Sequence, residues 1–352
     1  MNKLKENKHT AEGKSKSKDI YILGIETSCD DTCASVVKNG NIVLSNIIAS
    51  QDEIHRKYGG VVPEIASRKH IEIIDIIIGE AIEKSGLAVK SINAVSVTNR
   101  PGLIGSLLVG VGAAKAICYA AKIPLIAVNH LEAHIYSNIL KHPEITGGFI
   151  ALVVSGGHSS LYLVDKDFNI EEIGHTVDDA VGEAFDKIAR YMGLGYPGGP
   201  VIDKLSRQGN PDIIKLPRPM IDSGDFNFSF SGLKTALIYR TKRDGKLLTE
   251  ENIPNLAASF QESATGVLVE KTIRACSKYG LKKILVCGGV AANSLLREKF
   301  RIKGSENNIS VYIPPLSLCM DNAAMAACLG YYKYLKGIFS DLDVDVYSRS
   351  NL

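Results

Sequence analysis

Hydrophobic positions along the chain alternate between short dense runs bounded by glycine-rich turns and longer stretches with helical spacing. Segments 20–26, 33–37 and 41–48 are β-type runs, and Asn39-Gly40 supplies the left-handed geometry of a tight hairpin, so the three predict a meander. Residues 65–84 space their apolar positions for one buried helical stripe, and 94–98 read as a short strand. A helix of small residues follows over 106–121, then a strand over 125–128 and a helix from about Leu131. The plan then repeats. Segments 149–154, 159–164 and 170–174 form a second meander, with turns at Gly156-Gly157 and over 165–169. Helices near 178–192, 229–240 and 255–278, a buried strand over 283–287, a further helix and a strand over 311–314 complete it.

Strands alternating with helices predict an α/β protein with a mostly parallel sheet. Two such halves predict duplicated lobes with a ligand cleft between them. The first lobe is assigned to 19–147 and the second to 148–318, and the 352 residues are enough for two domains. The apolar helix over about 321–337 has too little chain after it to found a third domain, so it is expected to return to the first lobe, leaving 338–352 as a C-terminal tail.

Charge changes little in this picture. The net +3 comes from six lysines in residues 1–18; without that segment 35 of the 41 basic and 36 of the 38 acidic residues remain, so the body is nearly neutral. A nucleic-acid contact would then need a local patch. The segment itself reads as a disordered, lysine-rich tail without the apolar run of a signal peptide. Seven scattered cysteines without a CxxC pair argue against a disulfide framework or zinc ribbon and point to a reducing compartment. No apolar stretch reads as approaching the roughly 18 residues needed to span a bilayer, so the expectation is a cytoplasmic protein without a membrane partner.

The sharpest candidate chemistry is Asn129-His130-Leu131-Glu132-Ala133-His134, where a strand hands over to a helix. Histidines at i and i+4 share a helical face at a spacing that one divalent metal can bridge, although such pairs also occur as plain buried or surface pairs. Asp321, at the start of the last helix, reads either as an N-cap or as the carboxylate of a two-His, one-carboxylate site suited to iron or zinc. A zincin needs Glu directly after its first His; here Glu132 is the second residue after His130, so a metalloprotease would lack its base, and Glu132 is expected instead to orient an imidazole.

Three glycine pairs offer backbone for a phosphate: Ser155-Gly156-Gly157-His158, Gly288-Gly289 leading to Asn293, and Gly198-Gly199 followed by Asp203. Each is also an ordinary turn when taken alone. Asp203 and Asp186 have the right type for ribose hydroxyls, and Asn293 for a ligand hydrogen bond. No P-loop is present, because the run from Gly105 continues through Gly110 into Val111 instead of Lys, and no GxGxxG follows the first strand.

Taken in order, GIETSCDDT (24–32), NHLEAH (129–134), VVSGGHSS (153–160), DDAVGEAFDK (178–187), GYPGGP (195–200), FSFSGLKTA (228–236), CGGVAAN (287–293) and CMDNAAM (319–325) resemble the TsaD family of tRNA threonylcarbamoyladenosine transferases over roughly residues 20–335. The resemblance implies an actin-like ASKHA fold of two RNase H-like lobes with a nucleotide and metal cleft. It also implies transfer of threonylcarbamoyl from threonylcarbamoyl-AMP, the co-substrate, to N6 of adenosine 37 in tRNAs reading ANN codons. By motif match His130, His134 and Asp321 would hold one divalent metal, Fe2+ before Zn2+. Val153, Val154, Ser155, Gly156, Gly157, Asp186, Gly199, Asp203 and Asn293 would bind the adenylate. Implied partners are tRNA, a TsaB-like paralogue and a TsaE-like P-loop ATPase. Asp31 stands where the family commonly has Glu, and Arg100 where Gly is usual. Asp30 and Asp31 are the candidate catalytic acids, with neither assigned as the base, and Arg100 is expected to point to solvent. The competing readings are an ATPase or sugar kinase of the same fold, which would hold its metal with carboxylates, and a non-catalytic scaffold.

Overall fold

The computed structural model describes residues 19–349, so the lysine-rich tail 1–18 and the last three residues lie outside the described residues. Strands β1 (Tyr21–Glu26), β2 (Asp31–Lys38) and β3 (Ile42–Ser50) form the first meander, and β4 (Ala94–Arg100) and β5 (Leu125–Asn129) extend it in parallel to give the order β3-β2-β1-β4-β5. The second sheet contains β6 (Phe149–Val154), β7 (Ser159–Val164), β8 (Ile170–His175), β9 (Lys283–Cys287) and β10 (Ser310–Tyr312). Its order, β10-β9-β6-β7-β8, is the first sheet's order with the same pairing directions. The chain's plan is duplicated in topology as well as in sequence pattern.

Both sheets bury both faces. On one face of the first, Leu23, Ile25, Val95 and Val97 pack against α2 (Pro63–Lys84) and α3 (Ile104–Ala121). On the other, Ile22, Ala94, Ile126 and Val128 pack against α10 (Ala323–Leu335). This two-sided burial explains why β1 reads as a continuous apolar run and not as an alternation. Gly24 makes the close approach of α10 possible, because a Cβ there would lie 2.2 Å from the Ala323 carbonyl oxygen. The chain after α10 stays on this sheet: Ser340 bridges Leu125, Val346 is buried in the same core, and Tyr347 N–H donates to the Asn99 carbonyl.

In the second half, the 26-residue α8 (Ile253–Lys278) lies against one sheet face with α5 (Val181–Tyr191), α7 (Ser231–Arg243) and α9 (Ser294–Glu306). The opposite face receives α4 (His130–Lys141), which is buried almost throughout. Leu131 and Ile135 pack on the second sheet, while Ala133, Tyr136, Ile139 and Leu140 pack on α10 and the first sheet. Each such apolar side chain contributes about 1.5–3 kcal/mol on burial, so α4 is clamped between the halves. The histidine pair is carried by this clamped helix.

Some local expectations are corrected. A five-residue α1 (Asp52–Arg56) was not anticipated, and the glycine-rich loop expected over 196–200 instead runs into α6 (Gly198–Ser206). Proline tolerates the position before the first helical residue, and the two glycines open the turn. The last helix starts at Ala323 with Asn322 as its cap, accepting from Met325 N–H, so Asp321 is not the N-cap. The helix α3, with mean hydropathy 1.6 over 18 residues, does meet the length and composition of a membrane span, contrary to the expectation that no stretch approaches it. One face of α3, through Leu107, Val111, Ala114 and Cys118, is part of the core on the first sheet.

Candidate metal and adenylate site

Asn129 caps α4, its side chain accepting from Leu131 N–H at 2.8 Å and Glu132 N–H at 3.3 Å, which fixes His130 as the first helical residue. His134 follows one turn later, its ring 4.6 Å from that of His130. The return of α10 to the first sheet brings Asp321 alongside: its Oδ1 lies 3.1 Å from His134 Nε2 and 3.5 Å from His130 Nε2. One ligand atom from each of the three lies within 4.8 Å of the others, so the triad can hold a single metal ion. Residues 187 apart in sequence meet here because α4 and α10 share the first sheet's inner face.

Glu26, at the end of β1, supports the triad from behind and was missed in the sequence. It is fully buried, and its Oε2 accepts from His130 Nδ1–H at 3.0 Å and from the Thr98 hydroxyl at 2.5 Å. Its Oε1 accepts from Ser28 N–H at 2.6 Å. Burial opposes charge on His130, but the Asp321 and Glu26 carboxylates override it and raise His130 to about 9. Burial would raise both carboxyls, yet the His130 charge holds Glu26 and Asp321 below their usual range. Burial and the charge on His130 lower His134. Without a metal, a proton on His130 thus supplies the positive charge between two carboxylates.

The donor set fits a divalent cation. Glu26 fixes the Nδ1–H tautomer of His130 and leaves Nε2 facing His134 and Asp321, the arrangement in which an outer carboxylate orients a ligating imidazole. His134 Nδ1 is buried without a partner, and the ring's one hydrogen-bond contact is Nε2 with Asp321 Oδ1 at 3.1 Å, the position a shared cation would take. The expectation for Glu132 is corrected: Glu26, and not Glu132, orients the imidazole. Glu132 lines a separate cavity of about 130 Å³ with Arg100, Tyr162 and Glu172. Arg100 is half-buried instead of freely solvated: it lines this cavity and its Nε is enclosed without a partner.

The other candidates lie on the second half of the chain, and the turns after β6 and β9 are the ones that come near the triad. Val153 and Val154 are fully buried in β6, so only their main chain can serve a ligand. The following Ser155 accepts from His158 N–H through its Oγ, and its carbonyl accepts from Gly182 N–H at the start of α5. A Cβ on Gly156, Gly157 or Gly199 would meet no atom within 4 Å, so these glycines face open space. The turn at Gly288-Gly289 touches Met320, next to Asp321. His158, which the sequence reading did not single out, is pushed down to about 4 by burial and by His130 and His134, and so is neutral beside the triad.

Asp186 Oδ1 accepts from Gly198 N–H at 2.7 Å, and burial raises its pKa. Asp203 Oδ1 accepts from Ser294 N–H and Oγ–H, while its Oδ2 pairs with Arg207. Asn293 caps α9 by accepting from Leu296 N–H and donates to Gln261. Asp203 and Asn293 therefore meet at one junction but are engaged with protein partners. On the first sheet, burial and the Asp321 charge raise Asp31 to about 7; burial, opposed by Cys29 and reinforced by Asp321, also raises Asp30.

The model of the TsaD family, described as tRNA N6-adenosine threonylcarbamoyltransferase, matches residues 42–328. A relative of that description from Caldicellulosiruptor bescii is 52% identical over 322 residues, 91% of this chain and 95% of its own length. Another, from Bacillus subtilis, is 50% identical over 335 residues, 94% and 95% respectively. Among solved structures, T. kodakarensis HypF superposes with TM-score 0.62 at 14% identity, covering 92% of this chain and 49% of that one. The Acidaminococcus fermentans (R)-2-hydroxyglutaryl-CoA dehydratase component A gives 0.54 at 15% identity, covering 90% and 99%. These distant likenesses show the fold alone, that of the two-lobed ASKHA proteins. With half of its residues shared across nearly the full length of such relatives, the chain belongs to the TsaD family of tRNA N6-adenosine threonylcarbamoyltransferases.

Proposed function

We propose that the chain transfers threonylcarbamoyl from threonylcarbamoyl-AMP to N6 of adenosine 37 in tRNAs reading ANN codons and releases AMP, in the cytoplasm. The observation that carries this reading is the meeting of His130, His134 and Asp321 beside glycine turns open to a ligand, in a chain of this family. His130 Nε2, His134 Nε2 and Asp321 Oδ1 would hold one divalent metal, Fe2+ or Zn2+, with open positions. When bound, such a metal supplies Lewis acidity and stabilises negative charge on the donor's oxygens.

The protein's own groups do the positioning. The main chain of 153–157 and the open faces of Gly156, Gly157 and Gly199 receive the phosphate and adenosine, and Asp186 and Asp203 stand for the ribose hydroxyls. Asn293 holds the α9 turn that walls this side. The N6 nitrogen forms a bond to the carbamoyl carbon as the bond from that carbon to the phosphate oxygen breaks. The amine proton leaves to Asp31, a carboxylate that burial makes more basic than an exposed one, with Asp30 beside it. Orienting the amine against the anhydride supplies much of the rate gain. The apolar surface of α2 and α3, where Ile71, Ile76, Leu108 and Tyr119 are exposed, supports a TsaB-like partner, with a TsaE-like ATPase as the third component.

The test is nucleoside mass analysis of tRNA after incubation with synthetic threonylcarbamoyl-AMP. Threonylcarbamoyladenosine and stoichiometric AMP are expected; ADP formed from ATP without tRNA modification would overturn the reading in favour of a kinase or ATPase.

A further inference from the structure

Three exposed segments carry cations that make no ion pair with a described residue. The first ends α1, where Arg56, Lys57 and Tyr58 are exposed and Tyr58 keeps 51% of its surface. Arg190 is the second, one helical turn beyond the cleft residue Asp186 on α5, and its guanidinium lies against Gly59. The third is the end of α7, where Tyr239 is 64% exposed among Arg240, Lys242 and Arg243. The Tyr191 and Thr241 hydroxyls, 2.8 Å apart, tie that end to Arg190's neighbour, so the three segments form one continuous rim across both halves.

Along 53–58, 190 and 239–244 there are six Lys or Arg and two acids, Glu53 and Asp244. None of the six makes an ion pair with a described residue, and Lys57 alone rests on a ring, that of Tyr58. Six exposed cations against two acids make these segments locally positive on a chain whose body is nearly neutral, and such a local excess favours a polyanion. Two exposed tyrosines set among them add faces on which unpaired bases can stack, a combination suited to single-stranded RNA and not to a smooth acidic protein surface. The α7 helix begins at Ser231, beside the Asp178 and Asp179 loop next to α5, and its thirteen residues span about 20 Å. Its basic end therefore stands a few nucleotides away from the cleft, at a distance the loop flanking a reacting base can cover.

We propose that this rim is the RNA-docking surface of the chain: Arg56, Lys57, Arg190, Arg240, Lys242 and Arg243 contact the phosphates flanking the target adenosine, and Tyr58 and Tyr239 stack on neighbouring unpaired bases. The assignment rests on the transferase reading and adds to it the residues that hold the RNA. The six cations act as phosphate clamps without base specificity; the chemistry stays with the triad and the glycine turns.

The experiment uses the full chain, an unmodified tRNA transcript and its anticodon stem-loop, with fluorescence anisotropy over a salt series. The triple variant R240A/K242A/R243A removes three exposed charges without touching a buried group, and R56A/K57A does the same on the other half. Removing three single-strand phosphate contacts lowers the slope of log K against log salt by about 2, which at 0.1 M salt is on the order of 100-fold in affinity. Y58S and Y239S should weaken binding with no change in slope. Each variant should keep the wild-type melting temperature and AMP affinity. Wild-type affinity and slope in both charge variants would overturn the proposal, as would a wild-type chain that holds no tRNA even at low salt. A wild-type chain that binds tRNA through this rim yet transfers nothing from threonylcarbamoyl-AMP would refute the transferase reading and leave the docking surface standing.

Discussion

Replacing Glu26 by glutamine removes one charge and changes almost no volume, which isolates the role of this carboxylate behind the triad. In the structure it accepts three hydrogen bonds while fully buried: Ser28 N–H on Oε1, and the Thr98 hydroxyl and His130 Nδ1–H on Oε2. An amide has one oxygen and an NH2 group, so it cannot accept on both sides. With its oxygen toward His130, the Ser28 N–H faces another donor; turned the other way, the His130 N–H does. Either orientation strands a buried donor at about 1–3 kcal/mol. The ring also loses the anion that fixes its tautomer, and the loss of such an outer partner lowers metal affinity about 10–100-fold. Metal content after dialysis, chelator competition and thermal melting with and without metal measure both effects. The variant should melt lower than wild type in chelator and gain less from added metal. A glutamine variant that binds metal within about threefold of wild type would refute the claim that Glu26 organises the His130 ligand.

Three further outcomes follow from the same geometry. H134A and D321N should each lose the metal and reduce transfer at least about 100-fold, checked by metal analysis and nucleoside mass analysis on the same samples. G157A adds a methyl that meets no protein atom, so stability should stay the same or rise by about 0.4–1 kcal/mol while calorimetric affinity for AMP falls; unchanged affinity would remove this turn from the adenylate site. For Asp31, burial and then the Asp321 charge raise the folded pKa from 3.8 to about 7, so the folded protein holds this proton more tightly than the unfolded chain. Its contribution to stability is therefore complete below about pH 4 and disappears as pH rises to about 7. In chelator-treated protein the melting temperature of wild type relative to D31N should fall across that window; a flat difference would show that Asp31 is solvated, and a rising one that the fold stabilises its anion.

The sequence was most legible where periodicity and chemistry agreed. Both meanders could be read because β1 and β6, buried on two faces, show as dense apolar runs, and Asn39-Gly40 marks its turn by residue type alone. The histidine pair was legible because i, i+4 spacing is a local property of a helix. Glu26 was not, since nothing in GIETSCDDT says that β1 ends beneath α4; its partner is 104 residues away and the contact exists only because β1 and β5 flank β4 in one sheet. Glu132 was misread for the complementary reason. It is two residues from each histidine, and positions two apart on a helix point to different sides, so it faces the Arg100 cavity. The helix α6 was missed because Gly198-Gly199-Pro200 looks like a loop until Asp186 accepts the Gly198 N–H at its first turn.

The charge arrangement at the cleft gives a reason for this architecture. Buried Glu26 and half-buried Asp321 both contact His130, and Asp30 and Asp31, raised first by their own burial, are raised further by the Asp321 charge. One proton on His130 satisfies Glu26 and Asp321 but not the other two, so Asp30 and Asp31 stay raised. A divalent cation in place of that proton brings one more positive charge to the same point, which lowers the pKa of both aspartates together. A metal held by the triad would therefore favour the ionised over the protonated form of Asp31. The fold thereby links the charge held at the triad to the ionisation of Asp30 and Asp31, because α4 and α10 are held together on one sheet.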